Sequence, residues 1–128
     1  MKTKKRVLII DDDQDLLEIY GFKFETEGCE VEKAENGAWG LKRIKDGNFD
    51  VVLLDVSMPA MNGLEMLKEI AEAKKQKGLP KVLVLSNTAL DEEVKEMKKV
   101  GADECFIKVK ITPKEIYQKA MSLLGVSA

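Results

Sequence analysis

The chain has 128 residues, of which 45% are hydrophobic and 34% charged, and a formal net charge of −2. That length is enough for one domain with a real core and too short for two, and the balance excludes a disordered chain or a strongly basic nucleic-acid binder. Histidine is absent, and the two cysteines, Cys29 and Cys105, lack CxxC spacing. Imidazole bases, histidine ligands and a phosphohistidine relay are thereby excluded and neither zinc nor a redox pair is suggested, leaving carboxylates, lysines and hydroxyls.

The basic start, Met1-Lys2-Thr3-Lys4-Lys5-Arg6, is followed by only the short apolar run Val7–Ile10 before Asp11-Asp12-Asp13 closes it. It reads as a solvated arm entering a strand, and no stretch fits a signal peptide or a membrane span. A first helix is predicted over Gln14–Glu27, with Leu16, Leu17, Tyr20 and Phe24 inward and Gly28 as its stop, although Gly21 inside it costs roughly 1 kcal/mol relative to Ala. The polar segment Glu30–Ala34 suits an edge strand. A second helix follows over Ala38–Lys45, inward through Leu41 and Ile44, with Trp39 on its outer side.

Val51–Leu54 is a wholly apolar run, as expected of a strand buried on both faces. The third helix is predicted over Gly63–Lys75, with Leu67, Ile70 and Ala71 as its stripe. The lysines at its end (Lys74, Lys75, Lys77 and Lys81) read as a solvated terminus. Val82–Leu85 gives a fourth strand. Asp91–Val100 gives a fourth helix, inward through Val94 and Met97 and stopped by Gly101. Cys105–Ile107 gives the fifth strand. Thr112-Pro113-Lys114-Glu115 then starts a fifth helix with a cap, a proline at the first helical position and an early acid, and its stripe is Ile116, Ala120 and Leu123. Five alternations of strand and helix predict a parallel sheet covered on both faces, with ligands beyond the carboxyl ends of the strands.

The residues that follow the strands carry the chemistry. The first strand runs into Asp11-Asp12-Asp13, the third into Asp55, the fourth into Ser86-Asn87-Thr88 and the fifth into Lys108. Taken singly, each is an ordinary turn residue or cap, and Asp13 is read as the N-cap of the first helix. Taken together, three close carboxylates repel by about 4 kcal/mol per pair at an intermediate dielectric, so the set calls for a cation. An all-oxygen donor set selects Mg²⁺ or a similar hard ion. Two carboxylates on a metal, a third at its edge and a lysine opposite suit in-line phosphoryl transfer, with Asp55, on the most buried strand, as the nucleophile.

Val7–Asp13, Val52-Leu53-Leu54-Asp55-Val56-Ser57-Met58-Pro59 with Asn62-Gly63, Val82–Ser86, and Gly101-Ala102-Asp103 leading to Lys108 together resemble the receiver domain of bacterial two-component response regulators. The resemblance covers nearly the whole chain as a single receiver domain, residues 1–128. It implies a flavodoxin-like (βα)5 doubly wound parallel sheet in strand order 2-1-3-4-5. Asp55 would be the phosphoacceptor; Asp11, Asp12, Asp55 and the Ser57 backbone carbonyl would hold Mg²⁺; Ser86 would be the switch hydroxyl and Lys108 its cationic partner. Ser57 and Thr88 occupy positions that tune phosphate lifetime in the family, and both are small. The implied strand order puts the two cysteines on opposite edges, about 19 Å apart, so both are expected to be free thiols.

Two departures stand out. Val109 replaces the usual proline after the conserved lysine, which predicts a trans peptide and a rearranged loop. Cys105 takes the place of the aromatic switch residue, so no ring can rotate there. The implied function is a cytoplasmic phosphorylation-dependent switch, fed by a sensor histidine kinase or a phosphotransfer protein and enzymatic only toward its own phosphate. Its output would be contact with a downstream protein through the fourth helix, fifth strand and fifth helix, since little chain follows Leu124. Neither nucleic acid nor membrane is expected as a direct partner, and the expected state is a monomer or a phosphorylation-dependent dimer. The alternative is a pseudo-receiver, a protein-binding module working without phosphate. A haloacid-dehalogenase-like phosphatase is disfavoured, because Ser57 stands where its second carboxylate would be.

Overall fold

Alternation along the strands decides how the layers assemble. In Val7–Ile10, Val51–Leu54 and Val82–Leu85 every side chain is buried, and successive ones point to opposite faces. Val7, Ile9, Val51, Leu53, Leu83 and Leu85 join one core with Leu17, Tyr20, Phe24, Ile116, Ala120 and Met121. Leu8, Ile10, Val52, Leu54, Val82 and Val84 join the other with Ile44, Met66, Leu67, Ile70 and Met97. Each fully buried Leu or Ile contributes about 1.5–3 kcal/mol, so both faces of the sheet add to its stability.

The structure, a computed structural model, describes residues 4–58, 62–74, 78–88 and 90–126. Its elements run β1 (Arg6–Ile10), α1 (Gln14–Thr26), β2 (Glu30–Ala34), α2 (Gly37–Asp46), β3 (Val51–Asp55), α3 (Gly63–Ala73), β4 (Lys81–Ser86), α4 (Asp91–Val100), β5 (Glu104–Ile107) and α5 (Pro113–Leu123). The strands are all parallel, in order β2-β1-β3-β4-β5. The two cores put α1 and α5 on one face and α2, α3 and α4 on the other. The winding therefore reverses between β1 and β3, which opens a crevice at their carboxyl ends. Residues 1–3 of the basic arm, Pro59, Lys75 and Lys77 lie outside the described residues.

Local signals account for the boundaries. Asp13 caps α1 by accepting the N–H groups of Asp15 and Leu16. Gly28, at φ +93°, closes α1 while the Cys29 N–H reaches back to Phe24 O at 3.0 Å. Gly101, at φ +137°, ends α4. Thr112 and Glu115 form the reciprocal capping box that starts α5. The edge strand β2 is polar as expected, and Arg6 and Arg43 lie 3.5 and 2.9 Å from Glu30 and Glu32. Trp39 is half exposed, with the Lys42 ammonium 5.6 Å from its ring centroid.

One predicted stripe shifts. Ala71 is exposed and Met66 takes its place in the core, so α3 buries Met66, Leu67 and Ile70. A Cβ on Gly21 inside α1 would lie 2.6 Å from Lys33 Cε, the flexible end of an exposed β2 side chain that lies beside the helix.

Candidate functional site

The carboxyl ends of β1, β3, β4 and β5 bring together the residues read from the sequence. The Asp11 N–H donates to Ala34 O at 3.1 Å and the Val56 N–H to Leu85 O at 2.9 Å, so the ladders run to the edge of the crevice. They hold Asp11 and Asp55 nearly buried, at 1% and 3% exposure, while Asp12 faces solvent. Oxygens of Asp11, Asp12 and Asp55 lie within 4.8 Å of one another.

Lys108 closes the site from β5. Its Nζ donates to Asp55 Oδ2 at 2.9 Å and lies 3.4 Å from Asp11 Oδ2. The Lys108–Val109 peptide is trans, since the cis bond among the described residues is Leu79–Pro80, and the loop turns through a 3₁₀ turn at Lys108–Lys110. The substitution of proline by Val109 therefore leaves the ammonium in the site. Burial works against the Lys108 charge, but the hydrogen bond and charge of Asp55, with the charge of Asp11, raise its pKa above the usual lysine value.

Asp11 is the strained member. Its Oδ1 accepts the Asp13 N–H at 3.0 Å, whereas its buried Oδ2 has no hydrogen bond, the 3.4 Å approach of Lys108 being an ion pair without bonding geometry. Burial raises its pKa to about 6; the Asp13 N–H and Lys108 pull down and the Asp55 charge pushes up. An orphaned carboxylate oxygen beside two more carboxylates fits a hard cation. Oxygens around six-coordinate Mg²⁺ sit about 3.0 to 4.2 Å apart, close to the span observed.

The hydroxyls lie to one side. The Ser57 N–H donates to Asp55 Oδ1 at 2.8 Å, so both Asp55 oxygens are engaged. Ser86 Oγ donates to Thr88 O and accepts the Thr88 N–H at 3.3 Å, turned onto its own loop. Thr88 is exposed, and Cys105 is half-buried against the α3–α4 core as a free thiol, its pKa raised by burial. Gly63 accounts for part of the motif: a Cβ there would come 3.0 Å from Val56 Cβ, tighter than ordinary contact, so glycine eases the close approach of the start of α3 to the end of β3. Two features escaped the sequence reading. The Asn87 N–H donates to Ser57 Oγ at 2.8 Å, and Asp12 borders a cavity of about 750 Å³ between α2 and α3 floored by Leu41, Met58 and Met66. A backbone donor and a cavity leave no residue pattern to find them by.

A doubly wound sheet with three carboxylates and a lysine at its switch point defines the class of open α/β proteins that handle anionic or metal-bound groups at the strand ends. Within that class the chain belongs to the response regulator receiver domain family, which matches residues 7–121. It is 35% identical over 125 residues to the transcriptional regulatory protein CpxR homolog of Haemophilus influenzae, covering 96% of this chain and 52% of that one. It is 29% identical over 122 residues to the alkaline phosphatase synthesis transcriptional regulatory protein PhoP of Bacillus subtilis, covering 94% and 48%. The chain thus spans about half the length of these curated relatives. Among solved structures, the CheY-like receiver domain protein of Methanospirillum hungatei superposes with a TM-score of 0.87 at 30% identity, over 96% of this chain and 95% of that one. Receiver domains are signalling modules of two-component systems, which interact with histidine kinases or phosphotransfer proteins and bind Mg²⁺ at an acidic pocket. No helix among the described residues is long and apolar enough to cross a membrane.

Proposed function

We propose that this domain accepts a phosphoryl group on Asp55 from a phosphohistidine of a sensor kinase or phosphotransfer protein, and that the phosphoryl group changes a protein-binding surface on α4, β5 and α5. The observation that carries the reading is the pairing of nearly buried Asp55 with Lys108, at 2.9 Å, inside a cluster of carboxylates. An Asp55 oxygen attacks phosphorus, the P–N bond breaks, and its electron pair stays on the departing imidazole, which is protonated from solvent. Asp11, Asp12 and Asp55, with the Ser57 carbonyl, would hold Mg²⁺, which when bound neutralises charge on the transferring oxygens.

Lys108 stays on the acceptor side and pairs with a phosphoryl oxygen. Ser86 exchanges its bond to Thr88 O for one to the phosphoryl group, and the small Ser57 and Thr88 leave water a path for hydrolysis. The domain catalyses only its own phosphotransfer and dephosphorylation. We place it in the cytoplasm, with protein rather than nucleic acid or membrane as its direct output partner, as a monomer or a phosphorylation-dependent dimer. Cys105 in place of a rotating ring favours a second reading, a phosphate-independent binding module, but the engaged Asp55–Lys108 pair has no use in it.

Intact-mass spectrometry after incubation with acetyl phosphate separates the two. One Mg²⁺-dependent phosphate adduct, lost in Asp55→Asn, is expected. No adduct under any metal condition would sink the acceptor reading and leave the binding module.

A further inference from the structure

We propose that the Ser57 hydroxyl is a tether that holds the β4–α4 loop in its resting position and so sets how readily the domain switches; the proposal rests on the acceptor reading of Asp55. Ser57 touches both sides of the switch. Its N–H donates to Asp55 Oδ1 at 2.8 Å, and its Oγ accepts the Asn87 N–H at 2.8 Å from a loop 30 residues further along. Asn87 directly follows Ser86, whose hydroxyl is closed onto Thr88. The segment carrying the switch hydroxyl is thus fastened to the exit of the acceptor strand through one side chain.

What that segment leads into is lightly held. The N-cap of α4 is Leu90, 66% exposed, with no side-chain capping bond. Met97 is the buried residue of α4, whereas α5 buries Ile116, Ala120 and Met121 and starts in a full capping box. Beside the tether lies a cavity of about 300 Å³ bordered by Ser57, Ser86, Thr88 and Met97. A helix without an N-terminal side-chain cap, with one buried side chain and next to open space, belongs to the low-stability end of a fold, the end from which moving elements are drawn.

For Ser86 to reach a phosphoryl group on Asp55, its hydroxyl must release Thr88 and the loop must shift. The Asn87–Ser57 bond resists that shift and stabilises the resting arrangement alone. Removing the hydroxyl raises the ratio of switched to resting molecules about fivefold, the equivalent of one ordinary hydrogen bond. Ser57→Ala keeps the backbone carbonyl and the N–H to Asp55, so the metal and acceptor contacts assigned to this residue survive the substitution.

The test is Mg²⁺-dependent binding of beryllofluoride, an equilibrium mimic of the acyl phosphate, followed by NMR on the wild type, Ser57→Ala and Ser57→Thr. The tether predicts about fivefold tighter binding for Ser57→Ala and near wild-type binding for Ser57→Thr, which keeps a hydroxyl. It also predicts faster amide hydrogen exchange at Asn87 in unliganded Ser57→Ala. Wild-type binding with unchanged or weaker affinity in Ser57→Ala, or unchanged exchange at Asn87, would overturn the tether alone. Absence of binding by the wild type would overturn the acceptor reading, and the tether with it.

Discussion

Lys108 reaches over β4 to pair with Asp55: its Nζ lies 2.9 Å from Asp55 Oδ2, although β5 and β3 are separated by the whole of a strand. The same ammonium stands 3.4 Å from Asp11 Oδ2, so one positive charge partly neutralises two nearly buried carboxylates. It holds the place that a divalent cation would share, which sets up a competition between lysine and metal for the same oxygens.

Replacing Lys108 with Met should therefore have opposite effects on metal and on folding. Mg²⁺ is expected to bind roughly tenfold more tightly, because a competing charge is removed. The metal-free protein is expected to lose about 2–4 kcal/mol of stability, because two buried carboxylates are left uncompensated. Calorimetric Mg²⁺ titration and urea unfolding with and without Mg²⁺ check both. Weaker Mg²⁺ binding in Lys108→Met would contradict the competition.

The Asp11 carboxyl makes the metal-free fold sensitive to pH. Its folded pKa, about 6, stands above the ordinary 3.8, so between those values the folded state binds the proton more tightly than the unfolded one. The cost of ionising Asp11 is absent below about pH 3.8, grows as pH rises, and is complete above about pH 6. Asp11→Asn should thus stabilise the metal-free protein at pH 7.5, by up to about 3 kcal/mol, and do little at pH 4. The wild-type-minus-mutant difference in urea unfolding cancels the acids remote from the site and leaves the titration of Asp11 together with its neighbour Asp55. Excess Mg²⁺ should shrink the difference at pH 7.5, because the metal stabilises only the intact site.

Two helix glycines should respond to alanine in opposite directions. At Gly40 a Cβ would lie 2.5 Å from Ile10 Cδ1 and 2.8 Å from its Cγ1, inside a packed core, so Gly40→Ala is expected to cost about 1–3 kcal/mol. At Gly21 the crowding atoms belong to the end of the exposed Lys33 side chain, which can swing away. There the gain in helix propensity prevails, and Gly21→Ala is expected to stabilise by up to about 1 kcal/mol. Thermal or urea unfolding of the two variants would decide it.

The positions of the strands, the caps at Asp13 and Thr112 and the stops at Gly28 and Gly101 were legible because each depends on local chemistry: a burial period, a hydroxyl or carboxylate before a helix, a glycine that accepts positive φ. The order of the strands came only from the family resemblance. The convergence of Asp11, Asp12, Asp55 and Lys108 was legible because parallel strands deliver their last residues to one edge. The turn of α3 that buries Met66 and exposes Ala71 was not, since the rotation of a helix about its axis depends on how it seats between its neighbours. The Asn87–Ser57 bond was equally hidden: its donor is backbone, which every residue but proline carries.

The two margins of the sheet are unlike. β2 presents Glu30, Glu32 and Lys33, with arginines drawn alongside, whereas β5 reads Glu104, Cys105, Phe106, Ile107. Charged rims discourage strand-to-strand adhesion, and β2 carries more charge than β5. A unit that is adhesive on both flanks can grow into a filament; one that is adhesive on a single flank stops at a closed pair. The acids and arginines along β2 thereby weigh against growth through that margin.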